Sequence, residues 1–255
     1  MINKYVIVVP CFNEEERFNE VYFNQLTSIR NTFWVFVNDG STDDTGNKLE
    51  GFSKKKNTKC LNLNTNVGKA NAIAQGMSYA IGTINNIEWL GFLDSDGAFN
   101  LNDVVDIIGL TNSHMNYDAI YSSRVKMAGR NIKRNYWRHV MARTIMSFFA
   151  LAWRDIPYDT QSGFKLYKYS ADFDTILQDP FKTKWFFDIE IFVRFIKIKG
   201  SNIVVWEEPV TSWFDISGSK INYRQALRIL FEIILVFYLL IKQRNTLKNR
   251  GIIGM

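Results

Sequence analysis

The 255-residue chain is poor in proline, with four, and in cysteine, with two. Pro10, Pro157, Pro180 and Pro209 stand singly, and no Pro-rich or Ser/Gly-rich stretch marks a linker, which argues against independent domains on a tether. Cys11 and Cys60 are too few for a disulfide framework and lack metal-site spacing, so both are expected to be buried thiols in a reducing compartment. The apolar run from Tyr5 to Val9 ends at Pro10, too short for the core of a signal peptide, and no translocation is expected. Acid is missing between Asp118 and Asp155, where Arg124, Lys126, Arg130, Lys133, Arg134, Arg138, Arg143 and Arg154 crowd together and dominate a net charge of +6. Such a basic, aromatic-laced segment suits an anionic surface.

What is present is ample for a core: 47% of residues are hydrophobic and 22% charged, enough for a large α/β domain and too apolar for a disordered chain. Short apolar runs alternate with helix-like segments through the first half, the pattern of a mostly parallel sheet covered on both faces. Strands are predicted at Lys4 to Val9, Phe33 to Val37, Lys59 to Leu63, Trp89 to Leu93 and Ala119 to Ser122. Helices are predicted at Glu15 to Arg30, Asp44 to Phe52, Lys69 to Ile81 and Asn102 to Thr111. In the second half we expect a basic amphipathic helix from Tyr136 to Trp153 and a strand near Ser162 to Tyr167. A helix from Phe187 to Lys199, a strand from Ile203 to Trp206 and an apolar helix from about Tyr223 to Lys242 follow.

Each of the first four strands ends in a polar cluster: Asn13-Glu14-Glu15, Asn38-Asp39-Gly40-Ser41, Asn64 to Lys69, and Asp94-Ser95-Asp96-Gly97. Ligands of such sheets bind outside the carboxyl ends of the strands. In an extended segment residues two apart point the same way, so Asp94 and Asp96 are expected to address one hard cation. That cation would neutralise a diphosphate leaving group; the plainer reading of an Asp-x-Asp triplet is a surface turn. Ser41, Thr42 and Asp44 are read as a capped turn before the second helix.

Pro10-Cys11-Phe12-Asn13-Glu14-Glu15, the Asn-Asp-Gly-Ser turn, Asn66-Val67-Gly68-Lys69-Ala70-Asn71-Ala72 and Asp94-Ser95-Asp96-Gly97, in that order, resemble the inverting glycosyltransferases of family 2. The resemblance covers roughly the first 215 residues. It implies an A-type glycosyltransferase fold, a mostly parallel Rossmann-like sheet with helices on both faces. It further implies that Pro10, Phe12 and Glu14 line a nucleotide pocket, that Asp39 reads the base and that Lys69 lies near the nucleotide. Asp94 would approach the ribose or metal and Asp96 would ligate Mg2+ or Mn2+. Phe12 stands where tyrosine is common, and Asn38 where a first aspartate is common.

Asp159-Thr160-Gln161-Ser162-Gly163-Phe164-Lys165, Trp185-Phe186-Phe187-Asp188-Ile189-Glu190 and Gly218-Ser219-Lys220 look like the polyprenyl-phosphate sugar synthases, nearest to the dolichyl-phosphate glucosyltransferase type. That likeness implies UDP-glucose as donor and a polyprenyl-phosphate acceptor, with Gln161, Ser162 and Lys165 in the active site. Asp188 and Glu190 would border the acceptor, and Lys220 would approach a phosphate. Relatives often place an arginine before the Gly-Ser-Lys element, but here Asp215-Ile216-Ser217 precedes it, and the alternative for Lys220 is a solvated loop lysine. For Asp188 and Glu190 the alternative is capping of the following helix. A phosphate acceptor needs no strong general base, whereas a hydroxyl of a cell-surface glycan or glycolipid does, with Asp188 the candidate.

Cationic and apolar faces with tryptophan near both ends make the Tyr136 to Trp153 helix a candidate to lie among lipid headgroups, the alternative being an ordinary packed helix. From Ile229 to Ile241 the last helix would run roughly 20 Å, short of the roughly 30 Å hydrocarbon core, so it is expected to lie on the bilayer. Arg224, Arg228 and Glu232 form its polar positions one turn apart, and Lys242, Arg244, Lys248 and Arg250 would face anionic lipid on the cytoplasmic side. We therefore expect a catalytic domain over 1–222, with a nucleotide-sugar half at 1–125 and an acceptor half at 126–222, and a membrane-associating or oligomerising tail at 223–255. A homo-oligomer remains open. A nucleotidylyltransferase is disfavoured because its Gly-rich, arginine-containing first loop is replaced by Pro-Cys-Phe-Asn-Glu-Glu. A non-catalytic scaffold would keep the fold without turnover. No nucleic-acid partner is expected, since Phe148 to Trp153 is too apolar for a phosphate groove.

Overall fold

The computed structural model describes residues 4–113, 116–200, 203–214 and 223–249, the last with side chains from 226 onward. Gly218, Ser219 and Lys220 lie outside the described residues, as does the side chain of Arg224. The first half comprises β1 (Tyr5–Cys11), α1 (Glu20–Leu26), β2 (Thr32–Asn38), α2 (Thr45–Ser53), β3 (Thr58–Asn62), α3 (Lys69–Thr83), β4 (Trp89–Leu93), α4 (Leu101–Leu110) and β5 (Ala119–Ser123). The second comprises β6 (Asn131–Lys133), α5 (Tyr136–Ala152), β7 (Phe164–Lys168), α6 (Phe173–Leu177), α7 (Phe187–Lys199), β8 (Val205–Pro209), β9 (Ser212–Phe214) and α8 (Tyr223–Asn249).

Seven strands form one sheet in the order β3-β2-β1-β4-β7-β5-β8, and β6 pairs with β9 beside it. All neighbours in the large sheet run parallel except β7, which is antiparallel to both β4 and β5. β1 and β2 are buried at every position, which is why they read as unbroken apolar runs rather than alternating ones. One face of the sheet packs Ile7, Val9, Trp34 and Phe36 under α1, α2 and α4. The other packs Val6, Val8, Val35 and Val37 against the small residues of α3 and the aromatics of α6 and α7. The strand order reverses direction between β1 and β4, opening a crevice at their carboxyl ends.

Several boundaries differ from the sequence expectation. Helix α1 begins at Glu20 because the backbone of Arg17 and Phe18 turns back onto the Glu14 carbonyl and Asn19 caps the helix through its side chain. Cys60 is half-buried rather than buried, being on the edge strand β3. The three-residue strands β6 and β9 and the five-residue α6 are too short to leave a periodic signal. Glu232, expected on a polar turn of α8, is buried, while Val236, Leu240 and Leu247 of that helix pack with Met146, Phe149 and Ala152 of α5 and Phe192 and Ile196 of α7. The run Ile233 to Ile241 is thus divided between a core stripe and an exposed one.

Candidate active site

At the carboxyl ends of β1, β2 and β4 lies a cleft of about 300 Å3. Pro10, Phe12, Glu14, Asp39, Lys69, Asp94 and Asp96 all line it, together with Cys11, Arg17, Asn66, Gly68 and Ser95. Two loops brace one another to make its rim. Asn13, at φ 51°, accepts from the Thr42 amide and donates its own amide to Ser41 Oγ, while the Glu14 amide donates to Thr45 Oγ1. Ser41 and Thr42 therefore tie the two turns together rather than cap α2. Asp44, at the N-cap, makes no side-chain cap bond, and Asp43 accepts from the Thr45 amide instead.

Asp39 is buried at the cleft floor, where its two carboxylate oxygens accept from the amides of Val67 (2.7 Å) and Gly68 (2.9 Å). Burial raises its pKa, against the pull of those two amides and of the Lys184 charge. Gly40, at φ 67°, lets the second strand's turn press against the 65–66 backbone, which a Cβ there would strike. Phe12, 42% exposed, presents a ring at the mouth.

Strand geometry ends at Leu93, and residues 94–97 form a turn, so the two-residue alternation expected for Asp94 and Asp96 does not operate. The turn brings both carboxylates to the cleft all the same. Asp94 Oδ1 lies 2.6 Å from Lys69 Nζ at the start of α3. Asp96 Oδ1 accepts from the Ala98 amide, and burial, then the Asp94 charge, raise its pKa. For Lys69, burial works downward, but Asp94 and then Asp188 outweigh it and the pKa is raised. Glu14 has one oxygen on Arg17 at 2.9 Å and the other buried without a partner, and burial pushes its pKa up.

A divalent cation fits this donor set. Glu14 keeps one oxygen without a partner, and Asp96 carries a charge that burial and Asp94 make costly, both facing an open cleft. Among the described residues no three His, Cys, Asp or Glu side chains are placed to hold a metal by themselves. The protein would supply one or two carboxylates, Asp96 foremost because Asp94 already faces Lys69, and a ligand's phosphate oxygens would have to complete the shell. This is the usual habit of Mg2+ at phosphate sites.

The expected acceptor residues divide. Lys165 is wholly buried on β7, its ammonium 2.6 Å from Asp188 Oδ1 and bonded to the Ser162 carbonyl. Burial lowers the Lys165 pKa and raises that of Asp188. Ser162 is buried against Ser122, the two hydroxyls sharing a hydrogen bond. Glu190 is buried outside the cleft lining and accepts from the amides of Lys182 and Thr183 and from Arg194. Gln161 alone of this set reaches an opening, a pocket that it lines with Arg124, Arg134, Arg143, Tyr158 and Asp159.

That pocket is foreshadowed by the acid-free basic segment and by the Asp159-to-Lys165 motif that carries Gln161. Arg124 grips Asp159 with two parallel bonds of 2.8 Å, and although burial would raise the Asp159 pKa, Arg124 brings it to about 2. Arg143 stacks 3.4 Å over the Tyr158 ring and donates to its carbonyl. The loop that carries Gln161 touches the cleft at residue 163: Asp94 donates its amide to the Gly163 carbonyl, and a Cβ on Gly163 would collide with the Asp94 carboxylate. Only glycine permits that contact.

The sequence profile of glycosyl transferase family 2 matches residues 6–174. An uncharacterized protein of Methanocaldococcus jannaschii is 25% identical over 92% of this chain and 99% of its own. The poly-beta-1,6-N-acetyl-D-glucosamine synthase of Staphylococcus epidermidis is 30% identical over 35% of this chain and 21% of its own. In three dimensions the chain is similar to glucosyl-3-phosphoglycerate synthase from Mycobacterium tuberculosis, solved in complex with Mn2+, UDP-glucose and phosphoglyceric acid. The TM-score is 0.67 at 13% identity, covering 94% of this chain and 80% of that one.

Proposed function

The chain belongs to glycosyl transferase family 2, and on that premise we propose that it passes a hexose, glucose from UDP-glucose, to the phosphate of a polyprenyl phosphate held at a lipid surface. The observation that carries this reading is the carboxylate-lined cleft at the strand ends, suited to a nucleotide diphosphate, whose Asp94 touches Gly163 of the loop that places Gln161 among Arg124, Arg134 and Arg143, where an acceptor phosphate would approach the surface. Phe12 offers a ring face to the base, and Asp39 and the 66–68 loop it holds shape the floor below. Lys69 lies where the diphosphate would end, beside Asp94. Asp96, with Asp94 beside it, would hold the cation, which when bound neutralises the departing diphosphate. Arg143, beside the Arg124–Asp159 pair and with Arg134 lining the same opening, would orient the acceptor so that a phosphate oxygen attacks the anomeric carbon as the bond to the diphosphate breaks.

A phosphate oxygen needs no proton removed. Asp188, the base an alcohol acceptor would require, is bound to a buried ammonium at 2.6 Å, which favours the phosphate over a glycan or glycolipid hydroxyl. A lipid surface is supported by the outer stripes of two adjoining helices. Trp137, Met141 and Leu151 of α5 and Leu227, Phe231, Ile234 and Tyr238 of α8 are exposed, and Phe148 stacks on Phe237 between them. Four such side chains entering lipid contribute about 6–12 kcal/mol before ordering costs. Among the described residues no helix is long and apolar enough to cross a membrane, so attachment along the surface is the geometry we propose.

The test is incubation of the protein with radiolabelled UDP-glucose, Mn2+ and liposomes containing polyprenyl phosphate, followed by solvent extraction and mild acid. Label that enters the lipid phase and is released by mild acid supports the reading. Label that stays aqueous in the presence of phosphoglyceric acid would transfer the role to a soluble phosphate, and acid-stable lipid label would indicate a hydroxyl acceptor.

A further inference from the structure

Between α6 and α7 the chain passes through residues 181–185, whose five successive backbone amides are all bound by side chains from elsewhere. The Phe181 amide donates to Asn71 of α3. Those of Lys182 and Thr183 donate to Glu190 of α7 at 3.0 Å each. Those of Lys184 and Trp185 donate to one oxygen, Oε2, of Glu232 of α8 at 3.0 and 2.8 Å. The Trp185 carbonyl in turn accepts from the Gln161 side chain at 2.9 Å. From below, Arg194 donates to the carbonyls of Ile176, Asp179 and Pro180.

This strap joins both halves of the site. The Lys184 charge is near enough to Asp39 of the cleft floor to favour its ionised form, Gln161 lines the arginine pocket, and two residues beyond Trp185 the chain enters α7 and carries Asp188. Glu232 is 3% exposed, on the face of α8 that packs inward with Val236 and Leu240. A carboxylate in such surroundings is costly unless its acceptors are used, and here one oxygen is used twice on the strap.

We propose that Glu232 is a positioning residue of the transfer reaction, holding the amides of Lys184 and Trp185 so that the 181–185 strap keeps donor cleft and acceptor pocket in register. The proposal rests on the transferase reading above. The helix that offers its outer stripe to lipid thereby holds, with its inner face, the segment that spans the two substrates. Because both bonds end on a single oxygen, a glutamine amide oxygen can replace it, whereas alanine removes it and aspartate withdraws it by one methylene.

The full chain is compared with its E232A, E232D and E232Q variants by UDP titration, by turnover per UDP-binding site and by hydrogen exchange at the Lys184 and Trp185 amides. For E232A we expect UDP sites in full number, turnover per site reduced on the order of tenfold to a hundredfold, and faster exchange at both amides. E232Q is expected to restore turnover and protection. Should E232A fail to fold, E232D carries the comparison: reach predicts E232D slow and E232Q normal, and the opposite order overturns the proposal. So does wild-type turnover per site in E232A, a loss matching only the loss of UDP sites, or unchanged exchange at the two amides. Absence of any sugar transfer by the wild-type chain would instead refute the transferase reading, while the exchange ratio still decides whether Glu232 holds the strap.

Discussion

Lys165 Nζ lies 2.6 Å from Asp188 Oδ1 with none of the lysine exposed, so a charge pair sits inside the sheet–helix interface between β7 and α7. The rings of Phe92 and Tyr121 flank the ammonium at 5.0 and 5.2 Å. Removing one partner strands the other in a medium that solvates it poorly. Lys165→Met is expected to cost about 3–5 kcal/mol in urea unfolding, and the double variant with Asp188→Leu to recover part of it. A neutral Lys165→Met would show that the pair adds nothing to stability.

Asp96→Asn should abolish transfer at unchanged melting temperature, since its carboxylate faces a cleft rather than the core. Chelation should silence the wild type in the same assay. Burial and the neighbouring Asp94 raise the Asp96 pKa above the usual carboxylate value of 3.8. The metal-binding form is the deprotonated one, so Mn2+ affinity should weaken as pH falls, beginning above the range of an exposed aspartate. Full transfer in excess chelator would refute the metal role.

Asp39→Ala frees the amides of Val67 and Gly68 and loosens the cleft floor. Donor KM should rise about tenfold or more, with a smaller change in kcat, because the lost contacts act on bound donor and transition state alike. An unchanged KM with a large fall in kcat would place Asp39 among the reacting groups.

The Arg124–Asp159 pair sets an acid limit on stability. The folded carboxyl titrates at about 2 against 3.8 for a free aspartate, so its contribution is present above 3.8 and lost as pH falls through about 2. The difference corresponds to about 2 kcal/mol at neutral pH. Asp159→Asn should lose at least that much at pH 7 and flatten the pH dependence of unfolding below pH 4. An unaltered acid limb would show that the pair is not what titrates there.

Replacing Phe231 and Ile234 by glutamate tests the outer stripe of α8 without touching the core, as both side chains are more than half exposed. Co-sedimentation with anionic liposomes should fall sharply while UDP affinity and melting temperature hold. Deleting the whole helix is a poorer test, because it also removes Glu232, Val236, Leu240 and Leu247 from the interior. Undiminished sedimentation of the double variant would exclude this face as the lipid contact.

By itself the sequence determined the sheet and the polar cleft at its carboxyl end. Fully buried strands such as β1 and β2 must be unbroken apolar runs, and a parallel sheet forces polar clusters to follow each strand, so Glu14, Asp39, Lys69, Asp94 and Asp96 were legible as neighbours before any fold was known. Local spacing carried that information. Tertiary structure decided which side chains of the second half face a ligand, because β7 enters the sheet in the opposite sense, between β4 and β5. That reversal sends Lys165 inward to Asp188 and lays Gly163 against Asp94. It likewise decided Glu232: a lone acid on an apolar helix reads as a solvent position, and only the packing of α8 against α5 and α7 turns it inward onto amides 47 and 48 residues away. Contacts at such separations are set by how helices seat on a sheet, a property of the whole packed interior rather than of any window of residues.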